Sequence, residues 1–556
     1  MRVKLLIVFT LLISIFSCQK ETSFSDELNN SDLPTENAKA VLGKKLLNPY
    51  SVEVMKKACD ILYPPTKGEA ALSDSIQANY LYVRFQPADS AEYNALLERN
   101  YELYSYPLDY EILGDVSDYY DPTVPEGKLT WQYTAVPIDE ELPSVKYEII
   151  EECYIPPKTS SNSKLRQVED KALDMVDLDT RFDNSQTGDN TGGFDPNDNL
   201  GGVGYYKPDL TGSIKYVSTT GDTLGVKGIK VRARVFMKIK SGYTDNQGFY
   251  SIENDFCDRP RFELRYENKK DFKIGYDLAA LALPSTYDMK HEQSIVLDSS
   301  SESLKWWQMC VVNNAAYNWY EYCHKNGIAS PPDDLRLWCL SAFYGGATLM
   351  FHRGVYNFLT VSRIIEFLTL VSREDSAIVG YQLLKIMIQF FGPDIVINGL
   401  SQNVSEVSIA EVTYHELAHA SHFQVLGSND FERSAWWSRV ANYEIDSYIE
   451  TKDAYGTKTK ANNGPCAVTE SWAGVMGLSM LMESPYYRYW SSYNGSPYWF
   501  CPYVLWKLIY QCSAVSVRST FASLNPEVDS MEAFIESLVQ NNQSNEAIIR
   551  SEYAVY

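Results

Sequence analysis

The amino-acid sequence predicts a multidomain α+β protein: a small N-terminal α+β region, a β-sandwich middle domain and a mainly helical C-terminal domain. Three observations carry that prediction. The chain has 556 residues, too many for one ordinary hydrophobic core. A polar segment at residues 158–203, containing TGDNTGGFDPNDNLGG, reads as an interdomain linker. The apolar period changes from two to a helical one near residue 299. With 45% apolar residues, 41 Tyr and 11 Trp, the composition supports packed cores and excludes bulk disorder.

Taken in order, Arg2 and Lys4 precede an apolar run from Leu5 to Phe16 that is too short to span a bilayer. Residues 1–17 are therefore predicted to be a signal peptide. Ile15-Phe16-Ser17-Cys18 resembles the lipobox of bacterial lipoproteins. That resemblance implies cleavage before Cys18, acylation of its thiol and attachment to the outer membrane, on the surface or the periplasmic face. Several acyl chains on one residue give firm anchoring. Gln19-Lys20-Glu21 resembles the acidic export tags of Bacteroidetes surface lipoproteins. Residues 18–45 are predicted to be a flexible tether. The formal net charge of −23 repels phosphate backbones, which argues against a nucleic-acid partner. Nine cysteines follow Cys18, none in a CxxC pair, so a cysteine-based zinc site is not indicated. Export permits disulfides, and the odd count leaves at least one thiol without a partner inside the chain.

Residues 46–157 read as a small α+β domain, with helices at 51–62 and 90–98 and a strand at 78–85. It carries no catalytic signal. The linker at 158–203 is rich in oxygen donors but lacks the spacing and closing Glu of an EF-hand loop. At 204–298 period-two patterns alternate with turns. Ile229, Val231, Ala233 and Val235 line one face of a strand, and Lys230, Arg232 and Arg234 line a face expected to be solvated. The order GSIKYV, GIKVRARV, TDNQGFYSI resembles the carboxypeptidase regulatory-like, transthyretin-type domains of exported bacterial proteins, which are accessory sandwiches. Residues 299–556 form the third predicted domain, with helical stretches expected at 302–325, 333–351 and 362–391.

The chemistry lies in SIAEVTYHELAHASHFQVLG, after the short apolar strand Ile395-Val396-Ile397. Ser408 and Glu411 fit a capping box and Gly427 a C-terminal cap, so a helix is predicted over 409–426. His415 and His419, four apart, share a helix face and can converge on one ion. Glu416, on a neighbouring angle, is placed to act as general base. A random HExxH in a chain this long arises on the order of one time in a hundred. Only six histidines exist, and three of them flank Glu416 within eight residues. His422 sits roughly 10 Å further along the axis than His415, too far to join the same ion from an unbroken helix. It is assigned a supporting or packing role. Glu470, in CAVTESWAGVMG, is predicted on a later helix beginning near Pro465, after a helix at 431–451 and a polar loop. Ala473, three residues on, permits close helix approach.

HELAH on a helix after a strand, followed by a helical Glu-x-x-Ala, resembles the gluzincin, thermolysin-like class of zinc peptidases over residues 395–476. The layout is also similar to zinc-peptidase-like lipoproteins of Bacteroidetes. The likeness implies one Zn2+ held by His415, His419 and Glu470, with Glu416 catalytic. It implies hydrolysis of peptide bonds in proteins or peptides, by endopeptidase or exopeptidase action. The spacing from His419 to Glu470 is longer than in thermolysin-like enzymes. Glu444 and Asp446 are candidates to orient a ligand imidazole, and Tyr486, Tyr487 and Tyr489 to assist the oxyanion. The alternative function is a non-enzymatic surface lipoprotein that binds a host protein or glycan and keeps a structural or relic metal.

Overall fold

The computed structural model describes residues 40–68, 70–114, 116, 119–125, 128–157, 163–176, 208–276, 284–300, 303–340, 345–350, 353, 392–398, 405–451, 453–483 and 499–555. The expectations for the signal peptide, Cys18, most of the 158–203 linker, the 362–391 stretch and Tyr486, Tyr487 and Tyr489 lie outside the described residues. None of the nine cysteines after Cys18 forms a disulfide among the described residues.

The N-terminal region is built on a three-stranded antiparallel sheet. In it β2 (Tyr80–Phe85) lies between β4 (Gln132–Pro137) and β5 (Tyr147–Cys153). Helix α1 (Val52–Leu62) starts where Ser51 accepts the Val54 amide on its side chain, and α2 (Ser90–Glu98) where Asp89 accepts that of Glu92. Strand β1 (Val41–Lys45) pairs with β3 (Tyr110–Leu113), so ordered structure begins inside the segment expected to be tether. Helix α3 (Ser163–Met175) likewise occupies part of the expected linker. Its Leu165, Val168, Ala172 and Met175 recur at helical spacing and pack on Val54, Met55, Ala58 and Cys59. A composition window wide enough to show the Asn/Asp/Gly run hides that short amphipathic stripe.

The middle region has two sheets around one core. Strands β6 (Leu210–Val217), β7 (Thr223–Gly225), β10 (Phe249–Ile252) and β14 (Ile295–Leu297) form the smaller. The larger holds β8 (Ile229–Val235), β9 (Lys238–Tyr243), β11 (Arg261–Asn268), β12 (Phe272–Tyr276) and β13 (Thr286–Lys290). Ile214 and Tyr216 from one sheet and Val231, Ala233 and Leu264 from the other belong to a single cluster. That cluster also takes in the C-terminal helices, because the larger sheet does not stop at the 298/299 boundary expected from the sequence. Strand β12 pairs in parallel with β15 (Leu335–Leu340), and β15 with β17 (Ile395–Asn398). Strand β16 (Gly346–Thr348) closes the edge antiparallel to β17. Helix α4 (Leu304–Asn326) crosses from one parallel strand to the next and ends at Gly327, whose φ of 64° is the left-handed conformation of a C-terminal cap.

Two expectations are corrected here. The described residues of 333–351 carry the strands β15 and β16, not a helix. Leu335 to Cys339 are buried on both faces, and a central parallel strand then reads as a mostly apolar run that periodicity cannot tell from a buried helix. The basic face of β8 is not solvated either. Arg232 is 1% exposed, with Nη2 2.8 Å from Glu263 Oε2; Arg234 Nε lies 3.1 Å from Glu263 Oε1, and Lys230 Nζ 2.8 Å from Glu102 Oε1. The Arg232 guanidinium stacks 4.1 Å over Tyr104, and Tyr106 donates to Glu263 at 2.6 Å. Alternation along one strand fixes which residues share a face but not what covers it. Here the N-terminal region does.

The C-terminal region is mainly helical, as the sequence predicts. Helices α5 (Glu406–Phe423), α6 (Asp430–Thr451) and α7 (Gly464–Glu483) are followed by shorter ones that end at Ala554. Helix α5 lies against α4, α7 and the β16–β17 edge. The whole is a mixed α+β fold.

Candidate metal centre

Helix α5 starts three residues before the Ser408 capping box. Ser405 is the cap, accepting the Ser408 amide at 3.1 Å. The buried Glu406 then accepts from the Tyr216 hydroxyl at 3.1 Å and the Thr219 amide at 2.8 Å, which ties the helix start to β6. The helix ends at Phe423, so Gly427 is not its cap. A Cβ on Gly427 would come within 2.5 Å of Glu432 Cβ, and close approach to α6 accounts for the glycine. His415, Glu416 and His419 stay in the helix interior.

Helix α7 brings Glu470 across from these histidines, starting at Gly464 beside Pro465 as predicted. Ala473 is fully buried, and a Cβ on Gly477 would stand 3.6 Å from His415 Cβ. These small residues, four apart on one face, let the two helices approach closely. Trp472 locks the crossing by donating its indole N–H to the Ala418 carbonyl at 3.0 Å.

The donor atoms converge. His415 Nε2 and His419 Nε2 are 3.0 Å apart, His419 Nε2 is 3.1 Å from Glu470 Oε1, and His415 Nε2 is 3.3 Å from Glu470 Oε2. Among the described residues this is the one trio of His, Cys, Asp or Glu able to hold an ion. Tetrahedral zinc with bonds of about 2.0–2.1 Å would separate its donors by about 3.3 Å. The donor set therefore fits zinc: two imidazole nitrogens and one carboxylate. Glu470 Oε2 is buried, with the His415 imidazole 3.3 Å away and no hydrogen bond of good geometry.

Glu416 is held beside this trio by the sheet edge. Thr348 of β16 donates its hydroxyl to Glu416 Oε2 at 2.7 Å. Gly346 lies so close that a Cβ there would stand 2.4 Å from Glu416 Oε1. Trp437 of α6 fixes the strand by donating to the Thr348 carbonyl at 2.9 Å, and its ring meets His419 edge-on. Burial pushes the Glu416 carboxyl up from its ordinary value, against the pull of His415, His419 and the Thr348 hydroxyl. Burial acts the same way on Glu470, but the two imidazoles outweigh it and hold that carboxyl well below the usual range. One carboxylate is thus tuned to take a proton and the other to remain ionised.

His422 is not brought to the trio. Its Nδ1 lies 3.2 Å from the Thr469 hydroxyl and its ring packs on Trp436 and Trp437. Burial and His419 depress it to about 3, so it is neutral. Glu444 is half-buried rather than on a solvated face. Burial, then the charges of Glu470 and Glu416, raise it well above its ordinary value, and its Oε1 lies 4.0 Å from Cys466 Sγ. Asp446, two residues on, projects from a different side of the helix.

Gly346, Thr348, Thr469 and Trp437 were not singled out from the sequence. The run Gly345-Gly346-Ala347-Thr348 is the signal that could have found the first two, since such small residues mark close approach to a backbone. Comparison with protein-family models, curated proteins and solved structures finds no match to this chain.

Proposed function

We propose that this protein is a membrane-anchored zinc metallopeptidase that hydrolyses peptide bonds of proteins or peptides. His415, His419 and Glu470 would hold one zinc ion, and Glu416 is the general base. The observation that carries the reading is the convergence of three donor atoms from two helices beside a buried carboxylate of raised pKa. When bound, zinc supplies Lewis acidity toward water and the scissile carbonyl. The chain's own residues do the rest. Glu416 takes the proton of the attacking water and delivers it to the leaving amine. Thr348 orients that carboxylate through one oxygen.

A peptide substrate is supported by the sheet edge. Among the described residues β16 is paired on one side only, and an extended peptide added to that edge as a strand would lie beside Glu416. Anchoring rests on the lipobox-like Ile15-Phe16-Ser17-Cys18. Among the described residues no helix is long and apolar enough to cross a membrane.

The test is zinc content together with turnover of a peptide library, for wild type and Glu416→Gln. The expected result is one zinc in both proteins and a loss of turnover on the order of 10²–10⁴-fold in the variant. A second reading, a surface binding protein with a structural metal, is favoured by burial of the centre, where the four residues are 3–6% exposed. Stoichiometric zinc with no turnover dependent on Glu416 would establish that reading instead.

A further inference from the structure

We propose that Thr469 and His422 form a neutral relay that fixes the tautomer of His419 for metal binding, which makes both of them positioning residues of the centre. The inference rests on the reading of His415, His419 and Glu470 as ligands. It goes beyond it by giving roles to two side chains outside the trio.

The argument is one of proton count. His419 faces the trio with Nε2, so as a ligand it must carry its proton on Nδ1. That Nδ1 is 2.8 Å from Thr469 Oγ1 and buried, so the N–H donates to the hydroxyl oxygen. A hydroxyl has one proton of its own to give. Its one other partner among the described residues is His422 Nδ1 at 3.2 Å; were the oxygen to accept from both rings its own proton would have no acceptor, so the satisfied arrangement is the one in which this nitrogen is bare and accepts. The proton of His422 therefore sits on Nε2. This nitrogen has no hydrogen-bond acceptor among the described residues, and the ring that carries it packs edge-on against Trp436, with centroids 5.4 Å apart. This arrangement gives the His419 and Thr469 protons an acceptor each, and the direction runs from His419 through Thr469 to His422.

Metal-bound imidazoles usually hand their second N–H to a carboxylate, a backbone carbonyl or water. Here the partner is a hydroxyl backed by an imidazole that burial keeps uncharged. Position 469 is adjacent in sequence to the ligand Glu470, so one turn of α7 supplies both a ligand and the orienting group of another. The arrangement also accounts for His422 standing seven residues after His415 without ligating. Its Nδ1 is committed to Thr469.

The experiment measures the zinc dissociation constant of the full chain by competition with a chromogenic chelator, with circular dichroism of each metal-free variant as the fold control. Thr469→Val keeps the shape and removes the hydroxyl; it is expected to weaken zinc binding by roughly 10–100-fold. Thr469→Ser restores the hydroxyl and is expected to stay within about threefold of wild type. His422→Phe keeps a ring without an acceptor and is expected to weaken binding by several-fold. The double variant Thr469→Val/His422→Phe should bind no more weakly than Thr469→Val alone, because a broken line has nothing left to lose. Wild-type affinity in Thr469→Val, a Ser variant as weak as the Val variant, an unaffected His422→Phe or strictly additive losses would each overturn the relay. Absence of zinc binding by the wild type would instead remove the metal reading on which it stands.

Discussion

Arg232, Arg234, Glu263 and Glu102 form a buried charged cluster beneath the N-terminal region, and His415, Glu416, His419 and Glu470 form another between α5 and α7. The two differ in how their charges are matched. In the first, burial pushes both carboxyls up, but Glu263 faces the guanidinium groups of Arg232 and Arg234 and Glu102 faces Arg232 and Lys230, so both are held at about 2 by cations already in the chain. In the second, two imidazole nitrogens face each other at 3.0 Å with carboxylate oxygens beside them, and among the described residues no Lys or Arg is a leading cause of the shift of Glu416 or Glu470. A buried polar cluster that neutralises itself joins parts of the fold. One that leaves donors aimed at a common point is built around something the chain does not contain.

That contrast can be broken from either side. The largest stability effect is expected in the self-matched cluster. Glu263→Ala strands Arg232 and Arg234 in the interior, and losing one partner of a buried pair costs roughly 3–5 kcal/mol. Denaturant unfolding of the variant should show that loss while zinc stoichiometry is unchanged. A loss below about 1 kcal/mol would mean that the cluster is wetter than its burial indicates.

The opposite behaviour is expected at the centre, where stability should depend on what is added. Zinc at 100 times its dissociation constant contributes about 2.7 kcal/mol to a protein that binds it only when folded. The midpoint of thermal unfolding should therefore rise with zinc in the wild type and stay put in Glu470→Gln. A rise of equal size in that variant would place the ion elsewhere.

The two clusters were also unequally legible in the sequence. His415, Glu416 and His419 lie within one helix, so local spacing alone puts them together, and Glu470 was reachable because a helical Glu-x-x-Ala is also a local pattern. Arg232 and Glu263 come from neighbouring strands but are covered by Tyr104 and Glu102 from a distant stretch, and no pattern along β8 announces that cover. The same limit hid β15 and β16. A strand buried on both faces loses the alternation that identifies strands, so the segment that positions Glu416 was expected to be helical. The fold class survived these misreadings because it depends on element types summed over long segments. The 298/299 boundary did not survive as a break, because parallel pairing of β12 with β15 is a long-range fact.

The smallest effect is the most specific to this site. Gly346 is not in the left-handed region, so its lack of a side chain is a matter of space, and the space is taken by Glu416. A Cβ there would stand 2.4, 2.6 and 2.7 Å from Oε1, Cγ and Cδ of that residue, so the carboxylate must swing away. Misplacing a catalytic group by about 1 Å costs up to about 10²-fold, and a side chain able to recover part of the shift should lose on the order of tenfold in kcat. His415, His419 and Glu470 are untouched, so zinc affinity should stay within about twofold. Gly346→Ala thus separates the base from the metal ligands, as Glu416→Gln does, but by geometry and not by chemistry. A fall in zinc affinity matching the fall in kcat would show that β16 supports the ligands rather than the base.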